Sequence, residues 1–278
     1  MLLNCAGKPL DLSRPAVMGV LNLTHDSFSG DGVGGDVQAA CARALALQAA
    51  GAAVVDIGAE STRPGAARVS VDEEVQRVLP VIARLAPQLR VPISIDTRHA
   101  EVMRAAVAAG AGLINDVAAL RESGALEAAA DLGVPVVLMH MQGEPATMQE
   151  RPHYGDVVAE VMRFLEHRIA ACEQVGIARN RLLIDPGFGF GKTVAHNLDL
   201  LRGLPRLASL GVPLLVGLSR KSLIGAITGA PVGDRLGGSI ALAMLAAERG
   251  ARLLRVHDVE HTTQALTVLA AVKGEGNG

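Results

Sequence analysis

The chain has 278 residues, 50% of them hydrophobic and 19% charged, with a formal net charge of −2. That length can bury one large core or two ordinary ones, and without a basic run to neutralise successive phosphates it is unsuited to duplex nucleic acid, leaving small molecules as the expected partners. Cys5, Cys41 and Cys172 lack metal or disulfide spacing, and no stretch approaches the roughly 18 continuous apolar residues of a membrane span, so a cytoplasmic protein without membrane association is expected. The start, Met1 to Cys5, is only faintly like a lipoprotein cleavage site, because no charged or apolar leader precedes the cysteine.

In chain order, short apolar runs read as strands at 16–21, 53–57, 91–95, 113–114, 134–139, 182–184, 213–218 and 253–256. Alanine-rich segments with helical periodicity lie between and after them, at 37–50, 71–85, 101–109, 124–131, 156–175, 197–210, 235–249 and 262–272. Gly51, Gly110, Gly133, Gly176, Gly211 and Gly250 follow helices at the position where a left-handed residue ends them. Eight such strand–helix units in about 260 residues, with no linker, imply an α/β fold of the closed (β/α)8 or TIM-barrel type rather than an open doubly wound sheet. One domain over 1–278 is expected, its glycine-rich end fraying from about Lys273.

Polar residues follow every strand. Asn22 comes after the first, Asp56 and Glu60-Ser-Thr-Arg63 after the second, Asp96 after the third and Asn115-Asp116 after the fourth. Met139-His140-Met141, Asp185, Ser219-Arg-Lys221 and Arg255-Val-His257 complete the circuit. In a barrel these positions share the C-terminal rim, where the active site is assembled. Asp96, Asn115 and Asp185 suit the amide and amidine edge of a heterocycle, whereas Arg255, His257, Arg63 and Asn22 suit a phosphate, Asn22 through a hard cation such as Mg²⁺. Asp56 and Asp116 fit equally well as architectural carboxylates satisfying loop amides. His140 reads as a rim hydrogen-bonder rather than a catalyst, because no triad partner accompanies it.

The stretch Leu182 to Lys192, Leu-Leu-Ile-Asp-Pro-Gly-Phe-Gly-Phe-Gly-Lys, joins a strand to one carboxylate and a glycine-rich loop. Phe188 and Phe190 are two of only four phenylalanines, and both are expected at a flat ligand rather than in the core. Gly191-Lys192-Thr193 imitates a nucleotide-binding phosphate loop, but the position of that motif's first glycine holds Pro186.

Met18-Gly-Val-Leu-Asn-Leu-Thr24, Asp56-Ile-Gly-Ala-Glu-Ser-Thr-Arg-Pro-Gly65, Ser94-Ile-Asp-Thr97, Ile114-Asn-Asp116, the Leu183 to Lys192 loop, Gly217-Leu-Ser-Arg-Lys-Ser222 and Arg255-Val-His-Asp258 follow one another in order. Through these motifs the chain resembles the dihydropteroate synthases over nearly its whole length. The resemblance implies a transferase of folate biosynthesis that joins 6-hydroxymethyl-7,8-dihydropterin diphosphate to 4-aminobenzoate, with Mg²⁺ bound and sulfonamides as inhibitors. It implies that Asp96, Asn115, Asp185 and Lys221 hold the pterin between Met139 and Phe190, while Arg255, His257 and, through Mg²⁺, Asn22 take the diphosphate. Phe28, Thr62, Arg63 and Pro64 would belong to loops that close over the site, with Ser222 near the aminobenzoate carboxylate. Lys221, Asp96, Asp185 and Arg255 would carry the chemistry, C–O cleavage preceding attack by the arylamine. The family is commonly homodimeric, and the apolar segment 235–249 is the expected contact. The first loop departs from the family pattern: His25 stands in place of a proline, and Gly30-Asp31 in place of an acidic residue followed by glycine.

Overall fold

The protein is described by a computed structural model covering residues 1–24, 36–60, 69–143 and 147–274. It begins with a hairpin of β1 (Leu2–Cys5) and β2 (Lys8–Asp11). There follow β3 (Ala16–Asn22), α1 (Val37–Ala49), β4 (Val54–Gly58), α2 (Val71–Leu85), β5 (Ile93–Asp96), α3 (Ala100–Ala108), β6 (Leu113–Asp116) and α4 (Ala125–Leu132). The second half runs β7 (Val136–Met139), α5 (Val157–Gln174), β8 (Leu182–Asp185), α6 (Val194–Ala208), β9 (Leu214–Val216), α7 (Ser222–Thr228), α8 (Leu236–Glu248), β10 (Ala251–Val256) and α9 (Val259–Val272). The strands from β3 to β10 pair in parallel and in sequence, and β10 returns to β3, closing the barrel.

Local sequence explains where the helices start and stop. The side chains of Asp36, Ser70 and Asp156 accept amides of the first turns of α1, α2 and α5, and Thr193 with His196 makes a reciprocal capping box on α6. Gly51, Gly110, Gly133, Gly176, Gly211 and Gly250 all have positive φ, as a helix-ending left-handed residue requires. The expected strands and helices are present, with ends shifted by a few residues; α6 starts at Val194 and α9 at Val259, each three residues early.

Two elements were not expected. The short α7 follows Lys221, and the β1–β2 hairpin closes the bottom of the barrel. Leu3, Cys5, Leu10 and Leu12 pack with Met18, Val54, Leu113, Val137, Leu183, Leu215 and Leu253, the lower inward layer of the strands. Gly112 lets the hairpin approach, since a Cβ there would lie 2.4 Å from the Cys5 carbonyl oxygen. The larger core lies between barrel and helices, and all three cysteines are free and buried.

No helix among the described residues is long and apolar enough to cross a membrane. Lys273, from which fraying is expected, is the C-cap of α9, and 275–278 lie outside the described residues. Phe28, Thr62, Arg63, Pro64, His25, Gly30 and Asp31 also lie outside them.

Candidate functional site

Residues two apart on a strand face the same side. Two residues above the lower apolar layer, the inward positions become Val20, Asp56, Asn115, Met139, Asp185, Gly217 and Arg255, and Asp96 stands beside Asn115 in the β5–β6 register. The barrel interior therefore changes from hydrocarbon to hydrogen-bonding groups within a single pleat.

On one side of the mouth Arg255 links two carboxylates. Its Nε donates to Asp56 Oδ2 at 2.6 Å and its Nη2 to Asp96 Oδ2 at 2.8 Å, while Asn115 Nδ2 donates to Asp56 Oδ2 at 3.2 Å. Asp56 is fully buried, and its Oδ1 has no partner. Burial pushes the Asp96 carboxyl up to about 7, against the pull of Arg255 and with help from Asp56 and Glu74. Burial also opposes charge on Arg255, but Asp56 and Asp96 outweigh it and hold the guanidinium above its ordinary range.

Across the mouth stand Asp185, Lys221, Met139 and Phe190. Asp185 is paired in register with Met139 and accepts from the Gly187 amide at 2.7 Å. Burial raises its pKa, opposed chiefly by Lys221. Burial lowers Lys221 to about 8, opposed by Asp185. Lys221 Nζ donates to the Phe188 carbonyl and lies 4.7 Å from the centre of the Phe190 ring. Half-buried Phe190 packs with Val117, Met139, Met141 and Met148, so a polar edge and an apolar wall face the same opening. Gly187 is obligatory: its φ is +69°, and a Cβ there would sit 1.8 Å from the His140 carbonyl oxygen.

The phosphate-type residues occupy neighbouring sectors. Asn22 ends β3 opposite Gly58, and His257 follows β10 with its Nδ1 3.0 Å from Ser219 Oγ. Ser222 opens α7 beside Lys221, and both line a cleft of about 260 Å³ between the β8–α6 loop and α7. The Arg220–Asp258 ion pair, 3.0 Å at Nε, straps the Lys221 loop to the one carrying His257.

Some sequence expectations change. Phe188 belongs to the core, at 1% exposure, whereas half-buried Phe190 packs with the methionines at the mouth. Asp116 is architectural, accepting the Ala118 and Leu120 amides at 2.7 Å each. Asp56 instead belongs to the Arg255 network. His140 is a hydrogen-bonder as expected, but its partner is Lys192 at 2.9 Å, a buried lysine dismissed above with the false phosphate loop. The Glu74–His99 pair, at 2.7 Å, was also missed, because nothing in a helical acid predicts a partner 25 residues away.

No cluster of three or more His, Cys, Asp or Glu able to hold a metal occurs among the described residues. The donor set fits Mg²⁺ only as a companion of a phosphate ligand, with Asn22 offering one neutral oxygen and the ligand and water the rest.

The model of the family described as pterin binding enzyme matches residues 18–257. A dihydropteroate synthase of Escherichia coli strain K12 is 52% identical over 271 residues, covering 98% of this chain and 96% of that one. A Xanthomonas albilineans dihydropteroate synthase solved with 4-aminobenzoic acid is 60% identical, with a TM-score of 0.92 and 98% coverage of each chain. The Yersinia pestis enzyme solved with a sulfonamide drug is 50% identical, with a TM-score of 0.96 over 99% of this chain and 100% of that one. A barrel whose mouth carries paired carboxylates and amide beside a methionine–phenylalanine wall, sharing half its residues with these enzymes over nearly all its length, belongs to the pterin binding enzyme family, among the dihydropteroate synthases.

Proposed function

We propose that this dihydropteroate synthase seats 6-hydroxymethyl-7,8-dihydropterin diphosphate with its ring between Met139 and Phe190 and its diphosphate toward Arg255, His257 and Asn22, and joins it to 4-aminobenzoate. The observation carrying this reading is the single pleat in which the barrel interior turns from hydrocarbon to Asp96, Asn115 and Asp185. A pterin offers adjacent N–H donors that a carboxylate pairs bidentately, and a flat face that the Met139–Phe190 wall covers.

The residues then divide the work. Asp96 and Asp185 favour positive charge on the ring, which helps the C–O bond to the diphosphate break before the arylamine nitrogen forms its bond to the same carbon. The amine sheds its proton after attack, so no strong general base is needed. Arg255 is held from below by Asp56 and Asp96 through Nε and Nη2, which leaves Nη1 for a phosphate oxygen. Lys221 keeps its charge near Asp185 and stabilises the pterin edge. Asn22 would hold Mg²⁺, whose charge would offset that of the diphosphate. Ser222, at the cleft beside Lys221, receives the aminobenzoate carboxylate, and sulfonamides compete for that place.

We also propose a cytoplasmic homodimer. Its support is the outward face of α8, where Gly237, Ile240 and Ala241 offer no charge and none follows before Glu248.

Diphosphate release, measured with pterin diphosphate and Mg²⁺ in the presence and absence of 4-aminobenzoate, tests the reaction. Release that requires both organic substrates and yields dihydropteroate is expected. Equal release without the amine means a diphosphatase and rejects the proposal.

A further inference from the structure

The loop between β8 and α6 uses every carbonyl from Gly187 to Gly191. Lys221 Nζ donates to Phe188 O, Gln149 Nε2 to Gly189 O, and the Tyr154 hydroxyl to Gly191 O at 2.9 Å. The remaining two, Gly187 O and Phe190 O, are both taken by Lys192 Nζ, at 2.9 Å each. The third direction of the ammonium meets His140 Nδ1 at 2.9 Å. An ammonium carries three donors and no acceptor, and these three partners use all of them. While Lys192 carries its charge, His140 presents an unprotonated Nδ1, with its proton on Nε2.

This arrangement is costly. Lys192 is 3% exposed and no carboxylate among the described residues is hydrogen-bonded to its ammonium, so its desolvation is offset by two carbonyls, an imidazole and the longer-range attraction of Asp185. The return is local shape. The two carbonyls bracket the turn that places Gly187 against Asp185 at one end and Phe190 against the methionine wall at the other. The backbone supplies only one bond within that turn, from Phe190 N to Gly187 O at 3.1 Å. The ammonium therefore acts as an internal strut. His140 anchors the strut to the end of β7, next to Met139, and is itself packed edge-on against Phe164 at 4.9 Å.

We infer that Lys192 is a positioning residue for the pterin: held by His140, it fixes the Gly187–Phe190 turn so that Asp185 and Phe190 stand in their binding geometry before the ligand arrives. The inference rests on the proposed seat of the pterin between these two residues. It assigns Lys192 no contact with either substrate, and the expected signature is a loss confined to one of them.

Lys192→Met leaves an unbranched side chain one atom shorter and removes its donors. In folded enzyme, checked by thermal unfolding, the KM for the pterin diphosphate should rise tenfold or more, while the KM for 4-aminobenzoate stays within about twofold. His140→Asn, which can present an oxygen near the Nδ1 position, and His140→Leu, which cannot, provide the second arm. The pterin KM should be clearly higher in the leucine variant than in the asparagine one. An unchanged pterin KM in Lys192→Met, or equal increases for both substrates, overturns the inference. If Lys192→Met does not fold, the His140 pair decides, and equal pterin KM values in its two members also overturn it. Asp185→Ala is the control for the underlying reading: if it too leaves pterin affinity unchanged, the seat of the pterin is wrong, irrespective of Lys192.

Discussion

At Asp96, burial raises the carboxyl to about 7 although the Arg255 guanidinium is 2.8 Å away. In the unfolded chain the same group ionises near 3.8. Between those two values the folded protein keeps a proton that the unfolded chain has released, so raising the pH through this window withdraws stability. Asp96 thus stabilises the free enzyme in acid and ceases to do so above about 7. The neutral isostere in Asp96→Asn has no such dependence. Its melting temperature relative to the parent should therefore be more favourable at pH 8 than at pH 5, and the reverse order in paired thermal scans rejects the buried-acid account. Ligand binding carries the opposite sign, because a pterin with paired N–H groups selects the carboxylate. Pterin affinity, measured by calorimetry, should climb as the pH rises toward about 7 and flatten above it, and Asp96→Asn should lose that climb. Asp185→Ala removes the matching acceptor opposite. One lost charged hydrogen bond is worth about 1.5–3 kcal/mol, so its pterin Kd should rise by at least tenfold with the fold retained. An unaltered Kd in the folded variant contradicts the assignment.

Among the elements, the β1–β2 hairpin supports the site without touching it. It seals the lower layer of the barrel, on which the polar layer rests. Leu10, 1% exposed, should cost about 2–5 kcal/mol when cut to alanine, because neighbouring strands cannot collapse into the space. Gly112→Ala should destabilise as well, by forcing a Cβ against the Cys5 carbonyl. Urea titration reads both losses, while kcat/KM per folded molecule should stay near the parent value; a large change in kcat/KM with little loss of stability would instead tie the hairpin to catalysis. This hairpin also shows where sequence reading stops. The barrel strands were legible because each carries a buried apolar run that leads into polar residues, and most are followed by a helix with a left-handed glycine at its end. The hairpin strands have four residues each, too few for their alternation to stand out. Arg255, Asp96, Asn115 and Asp185 were legible as rim residues from position alone, but the exchange between Arg255 and its two carboxylates was not, since Asp56 lies 199 residues away in the chain. Lys192 was hidden by a neighbouring motif of another chemistry, and Phe188 by the assumption that loop phenylalanines face ligands.

For the whole molecule, the barrel alone does not account for the outward side of α8. The inward side of that helix, Ser239, Leu242, Ala243, Ala246 and Ala247, is buried as any barrel helix requires. Its outward side has no charged residue from Leu236 to Leu245, and Leu236 remains 37% exposed. The preceding α7 adds Ile227 at 54% exposure. A helix apolar around its whole circumference is ordinarily covered on both sides, and contiguous exposed hydrocarbon marks a contact surface. In the proposed homodimer a second copy covers this face, because a two-fold contact brings the same face to itself without requiring charge complementarity, and this face has little charge to offer. The consequence is specific: the parent chain should sediment as a dimer at micromolar concentration, and Ile227→Glu with Leu236→Glu should shift it to monomer by placing like charges in a shared apolar contact. Since α7 begins beside Lys221 and Ser222, loss of the contact should also raise the KM for 4-aminobenzoate more than that for the pterin, whose seat is anchored on the barrel strands and the β8–α6 loop. A monomeric parent chain, or a double variant that remains dimeric, assigns the apolar face of α8 another role.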